Sequence, residues 1–272
     1  MSEKRLSLSP ARFLSARRRH RSAGLVVLLF GLLAVGSAYA AFAPDNAVAD
    51  NSAQSQQIEE GKKLFAVGCA SCHGLNAEGT PDGPSLAGVG AAAVDFQVGT
   101  GRMPMAAPGV QAPRTERIKF SDEEIAAMAA YVASLAPGPA VPDEEYTSGE
   151  GGDVAKGGEL FRVNCAMCHN FAGSGGALTR GKYAPPLRDI EGKHIYEAMA
   201  TGPQSMPVFN DTNISPESKR DVIAFLHSID KQENPGGLAL GNMGPVSEGL
   251  FIWVFGLGIM IGFAVWLGQK SA

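Results

Sequence analysis

The sequence predicts an all-α chain in which two tandem helical domains are flanked by transmembrane helices. Two uncharged runs, 23–43 and 249–269, stand near its ends. Between them a pattern recurs. Gly61-Lys62-Lys63-Leu64-Phe65-Ala66-Val67 returns as Gly157-Gly158-Glu159-Leu160-Phe161-Arg162-Val163, with Gly, Leu, Phe and Val at a constant offset of 96. Each copy closes on apolar residues at helical spacing, and the Gly/Pro-rich stretches between helices carry no strand alternation.

The 272 residues suffice for two ordinary domains. A content of 45% hydrophobic and 18% charged residues excludes a disordered acidic tail and a collagen-like repeat. The net charge of −4 is unevenly spread: residues 1–21 hold seven Lys/Arg and one acid, so acids outnumber bases by ten beyond them. An acidic body argues against nucleic acid as a partner.

The run 23–43 follows the basic cluster Arg17, Arg18, Arg19, His20 and Arg21. It meets the requirement of about 20 apolar residues for a helix crossing a bilayer. The basic flank would keep segment 1–22 in the cytoplasm and send the chain beyond the run outside. A cleaved signal peptide is the competing reading, because Ala38-Tyr39-Ala40 has the small-x-small form of a cleavage site. The apolar run is longer than the usual signal core of about 7–15 residues, which favours a retained anchor. The second run, 249–269, has Trp253 and Trp266 near its ends and Lys270 just beyond, as interfacial anchors do. A buried core helix is rarely so long and uncharged. Gly258 and Gly262 have the small-xxx-small spacing that admits another helix. With both runs spanning, both termini are cytoplasmic and residues 44–248 lie outside.

All four cysteines fall in Cys69-Ala70-Ser71-Cys72-His73 and Cys165-Ala166-Met167-Cys168-His169. C-x-x-C-H reads as covalent c-type haem attachment. The two thiols add to the haem vinyl groups as thioethers, and the adjacent His73 or His169 reaches the iron. Three other readings compete. An oxidising compartment also permits a disulfide within each motif. A zinc site built from Cys69, Cys72, Cys165 and Cys168 leaves both histidines without a role. A thioredoxin-like redox pair needs a βαβ context, which the pattern lacks.

The repeat extends downstream. Pro84-Ser85-Leu86 answers Pro185-Pro186-Leu187, and Thr100-Gly101-Arg102-Met103-Pro104 answers Thr201-Gly202-Pro203-Gln204-Ser205-Met206-Pro207 with two residues inserted. Ser121 through Leu135 answers Ser215 through Ile229. A long period seen only twice means tandem domains rather than a solenoid. The first domain spans 54–136 and the second 154–232, with linkers at 137–153 and 233–248. Ser121 and Glu124 form a capping box ahead of Ile125, Met128, Val132 and Leu135, one face of a helix. Ser215 caps the matching helix, Pro216 takes its first position, and Val222, Ile223, Phe225, Leu226 and Ile229 form its buried stripe. Met128 and Met199 read as core, Met167 as a variable position inside the haem loop, and His194 and His227 as ordinary surface or helix residues.

On these motifs each unit resembles the class I c-type cytochromes. The resemblance implies that the methionine before proline, ahead of the last helix, is the second axial ligand: Met206 in one domain and Met103 in the other, with Met105 as its rival. It also implies that the carbonyls of Pro84 and Pro185 accept the proton on the proximal histidine's other nitrogen, orienting the ring. Arg102 is a candidate partner for a haem propionate or else a solvated surface arginine. With two six-coordinate irons and no nucleophile–base pair, the chain moves electrons and performs no substrate chemistry of its own.

The whole layout resembles the di-haem cytochrome c subunits of actinobacterial menaquinol–cytochrome c reductases. That resemblance implies two covalently bound haem c groups and cytochrome b and Rieske iron–sulfur subunits as partners. It further implies delivery of electrons to a cytochrome c oxidase in the same supercomplex, in the respiratory chain of a cell membrane. A di-haem subunit of a terminal oxidase or periplasmic dehydrogenase, a free-standing tethered cytochrome c and a di-haem peroxidase are the alternatives.

Overall fold

A computed structural model describes residues 22–42, 46–231 and 245–269. The basic segment 1–21 with His20, much of the second linker and Lys270 lie outside the described residues. Helix α1 (Ala23–Phe42) has no acid in its first turn and no base in its last, and its large apolar side chains from Leu25 to Tyr39 stand exposed.

The first haem-motif domain is built from α2 (Asn46–Gly68), α3 (Ala70–His73), α4 (Gly90–Gly99) and α5 (Asp122–Leu135). Helix α5 starts where the sequence expects it. The Ser121 hydroxyl accepts from the Glu124 N–H and the Glu124 carboxylate accepts from the Ser121 N–H. Asp122, Glu123 and Glu124 in its first turn complement the helix dipole. Ile125, Met128 and Val132 are buried on one stripe and pack with Phe65 of α2.

Short helix α6 (Glu144–Thr147) leads into the second domain: α7 (Val154–Asn164), α8 (Ala166–His169), strands β1 (Gly176–Ala177) and β2 (Tyr183–Ala184), α9 (Gly192–Thr201) and α10 (Pro216–Lys231). The Ser215 hydroxyl accepts from the Ser218 N–H at the head of α10, whose Val222, Ile223 and Leu226 are buried against Phe161. Segment 137–153 is packed at both ends. The Pro139 carbonyl accepts from the Ala92 N–H, and Thr147 is buried against the start of α9.

The antiparallel pair β1–β2 was not foreseen in the sequence. Two-residue strands are too short to leave an alternation pattern. They occupy the loop after the second haem motif, where His169 and Pro185 are 16 positions apart against 11 for His73 and Pro84.

The helical repeat glycines mark close helix crossings. A Cβ on Gly61 would stand 1.9 Å from the Ala127 carbonyl oxygen, and one on Gly157 would stand 1.9 Å from that of Asp221. One turn later Phe65 meets Tyr131 at 5.3 Å and Phe161 meets Phe225 at 5.5 Å between ring centroids. The two domains thus repeat one helix-on-helix contact, glycine beneath a backbone carbonyl and then ring on ring.

Helices α4 and α9 join the domains. Lys193 Nζ lies 2.6 Å from Asp95 Oδ2, and the His194 ring meets the Phe96 ring edge-on at 6.3 Å. The Gln111 side chain donates to the Tyr183 carbonyl at 2.8 Å and accepts from the Tyr183 N–H at 2.9 Å. Glu197 is wholly buried here, with neither carboxyl oxygen hydrogen-bonded. Burial, then Asp95, pushes its pKa up to about 9 despite Lys193, so it is a neutral acid at pH 7. His194, read in the sequence as an ordinary surface or helix residue, is a helix residue whose side chain is largely covered between the domains, and burial lowers its pKa against the pull of Glu191 and Asp95.

At the C-terminal end α11 (Pro245–Phe251) passes through a π-helical stretch (Ile252–Leu257) into α12 (Gly258–Gln269). Among the described residues, 247–269 form the one helix long and apolar enough to cross a membrane, and none of its apolar stretch is buried in the chain. The apolar part of α1, Ala23–Tyr39, is shorter. A Cβ added at Gly258 or Gly262 would meet nothing within 4 Å beyond its own helix backbone.

Candidate functional site

Each C-x-x-C-H motif is one helical turn set at an angle to the helix before it. At Cys69 and Cys165 φ opens to −127° and −118°. The carbonyl of Cys69 then accepts from the N–H groups of Cys72 and His73, and that of Cys165 from those of Cys168 and His169. Residues three and four apart on a turn share a face, so two thiols and an imidazole point to one side. Burial, then the neighbouring Cys168, pushes the Cys165 thiol up to about 11, and burial likewise raises Cys69, the opposite of the shift that activates a thiol as a nucleophile.

The two motif histidines are fixed by backbone. His73 Nδ1 lies 2.7 Å from the Pro84 carbonyl oxygen, and His169 Nδ1 lies 2.9 Å from that of Pro185. A carbonyl oxygen only accepts, so Nδ1 carries the proton and Nε2 is left with a free lone pair. The loops that bring the prolines back are tied in the same way in both domains. The Gly79 and Gly175 N–H groups donate to the His73 and His169 carbonyls. The Leu86 and Leu187 N–H groups donate to the Ala77 and Gly173 carbonyls.

The methionine loops close the other side. Met103 packs against the first core and Met206 against the second; Met105 is not among the residues packed on either. The Met103 N–H donates to the Gln97 carbonyl and the Met206 N–H to that of Pro203. Met128 and Met199 are core residues, 1% and 2% exposed, whereas Met167 projects at 90%. His227 faces the Ile190 carbonyl at 3.4 Å.

A Cytochrome c family model matches residues 58–136, and a model described as Cytochrome C oxidase, cbb3-type, subunit III matches residues 152–226. The cytochrome bc1 complex cytochrome c subunit of Mycobacterium tuberculosis is 47% identical, over 94% of this chain and 93% of its own length. The subunit of the same description from Corynebacterium efficiens is 45% identical, over 97% and 95%. That from Corynebacterium diphtheriae is 42% identical, over 97% and 100%. The chain belongs to the cytochrome bc1 complex cytochrome c subunits.

As a member of this family it is a di-haem electron-transfer chain with two covalently bound haem c groups. The second domain fits such a group. A cleft of about 330 Å³ has Cys165, Cys168 and His169 in its lining together with Met206, and is otherwise largely apolar, with Phe161, Leu187, Ile195, Met199 and Leu226. Apolar walls with a few placed polar groups are what a buried macrocycle requires.

Phe96, Thr100, Arg102, Gln111 and Arg114 of the first domain also line this second cleft. Of these only Arg102 was singled out in the sequence. It is neither a freely solvated arginine nor remote from a haem cleft: its guanidinium stands 4.6 Å above the Phe96 ring. One signal was available. The repeat places Pro203 where the first unit has Arg102.

Proposed function

We propose that this subunit relays electrons in a membrane-bound quinol–cytochrome c reductase, from the Rieske iron–sulfur protein towards a cytochrome c oxidase held in the same supercomplex. The observation that carries the relay is the duplicated proximal geometry, an imidazole pinned by a proline carbonyl beside a C-x-x-C turn in each domain. In this reading Cys69 and Cys72 hold one haem and Cys165 and Cys168 the other. His73 with Met103, and His169 with Met206, would hold the two irons. Haem iron supplies one-electron chemistry when bound. The chain's own residues orient each imidazole, with Nδ1 donating to a proline carbonyl, and line the second cleft with apolar side chains. A methionine opposite histidine raises the potential relative to two nitrogen ligands.

The helix 247–269 anchors the chain, and α1 is a second span, placing the haem domains on the extracytoplasmic side with cytochrome b and the Rieske subunit as neighbours. The reductase assignment is supported by full-length relatives named for the bc1 complex. The match of the second domain to a cbb3-type oxidase subunit supports the rival, a di-haem subunit of a terminal oxidase. Extraction of the chain from its own membranes in mild detergent, followed by a reduced-minus-oxidised spectrum, separates them. Haem b bands reducible by a quinol are expected beside haem c, with haem a bands if the oxidase is retained. Haem c alone would reduce the chain to a tethered carrier.

A further inference from the structure

Charge in the second cleft is one-sided. Among the described residues no aspartate or glutamate lines it, whereas Arg102 and Arg114 of the first domain and Lys182 of the second do. Neither arginine is in an ion pair among the described residues. Both guanidinium side chains line the same cleft. Two guanidiniums brought together without an acid cost free energy unless an anion joins them. Haem c brings two propionate carboxylates on one edge, the planar partners that guanidinium forks match best.

We infer that Arg102 and Arg114 of the first domain form the binding site for the propionates of the haem held in the second domain. This rests on the reading that Cys165 and Cys168 carry that haem. The second unit has Pro203 at the repeat position of Arg102, so the cation is supplied across the domain boundary. The Gln111–Tyr183 clasp and the Lys193–Asp95 pair hold the donor loop against the cleft. Arg102 immediately precedes Met103, so one short segment serves both domains.

The test uses the full chain in its membrane complex, with Arg102→Gln, Arg114→Gln, the double variant and Arg102→Lys. Haem c per chain is counted, and both haem c signals are followed in redox titrations. The second signal is assigned by its absence from a Cys165→Ala/Cys168→Ala variant. Loss of the guanidiniums leaves propionate charge uncompensated near the iron and favours the ferric state. The double variant is expected to keep two haems and to shift the second haem's oxidised-to-reduced ratio roughly tenfold towards oxidised, about 59 mV for a one-electron couple. Arg102→Lys should recover part of that shift, and Arg114→Gln, remote in sequence from Met103, should leave the first haem unmoved. Loss of the second haem alone in the double variant would also support the assignment. Two haems with an unmoved second midpoint, or an effect confined to the first haem, would overturn it. A Cys165→Ala/Cys168→Ala chain that still carries two haems would instead overturn the attachment reading.

Discussion

Gly157 lies directly beneath the backbone of Asp221, so that a Cβ at position 157 would come within 1.9 Å of the Asp221 carbonyl oxygen. The obstacle is helix backbone, which no side-chain rotation relieves. Gly157→Ala should therefore destabilise the second domain by about 1–3 kcal/mol or more, the range of core overpacking. Gly61→Ala should do the same to the first domain through Ala127. Thermal unfolding followed at the haem absorbance band checks both, and an unchanged melting temperature would deny the close crossing.

On the proposed ligation, Met206→Ala should leave the second haem covalently attached while lowering its potential, because the thioether is removed. Met103→Ala should act likewise on the first haem, and Met105→Ala should not, since Met103 is the one packed on the core. Redox titration of each variant decides the matter; an unmoved midpoint removes the methionine in question as a ligand.

Glu197 makes the domain interface pH-dependent. Its folded pKa of about 9 lies above the ordinary 4.5, so folding takes up a proton between those values. Stability is then fully present below pH 4.5 and declines as pH rises towards 9. The groups facing the carboxyl are Asp95, Lys193, Glu191 and His194. Glu197→Gln supplies a neutral isostere that needs no proton and should gain on the order of 3 kcal/mol at pH 7. Denaturant melts across pH test this, and parallel profiles for the two proteins would count against a protonated Glu197.

Gln111→Ala removes both hydrogen bonds to Tyr183 while touching neither domain core. At roughly 1 kcal/mol for each hydrogen bond, the interface should open more often while each domain keeps its own stability. Amide exchange at Tyr183 should accelerate by about tenfold or more. Equal protection in variant and parent would mean that the clasp is not what holds the domains together.

The parts of the fold legible in sequence are those encoded locally. Ser121 and Glu124 are three residues apart and their reciprocal bonds form as expected. The repeat flagged Gly61 and Gly157 without saying why glycine was needed; the answer lies in a helix some sixty residues downstream. The proline carbonyls behind His73 and His169 followed from resemblance, and both are within hydrogen-bond distance. What stayed illegible is the contact between domains. Gln111 and Tyr183 are 72 residues apart and belong to no motif. His194 has no histidine counterpart in the repeat because its environment, Phe96 and Asp95, belongs to the other domain. An internal repeat reports what two domains share, and an interface is made of what they do not.

The clasp at Tyr183 has a further consequence, for solubility. Leu178 donates to the Lys182 carbonyl across the ribbon, so at the next position Tyr183 turns its own N–H and C=O outward. An open edge of this kind is a template for pairing with another chain. The Gln111 carboxamide presents one donor and one acceptor in the arrangement of a peptide group and takes both sites. A single side chain thus stands in for a third strand, and at Tyr183 the ribbon offers a neighbouring molecule no free backbone on which to begin an aggregate.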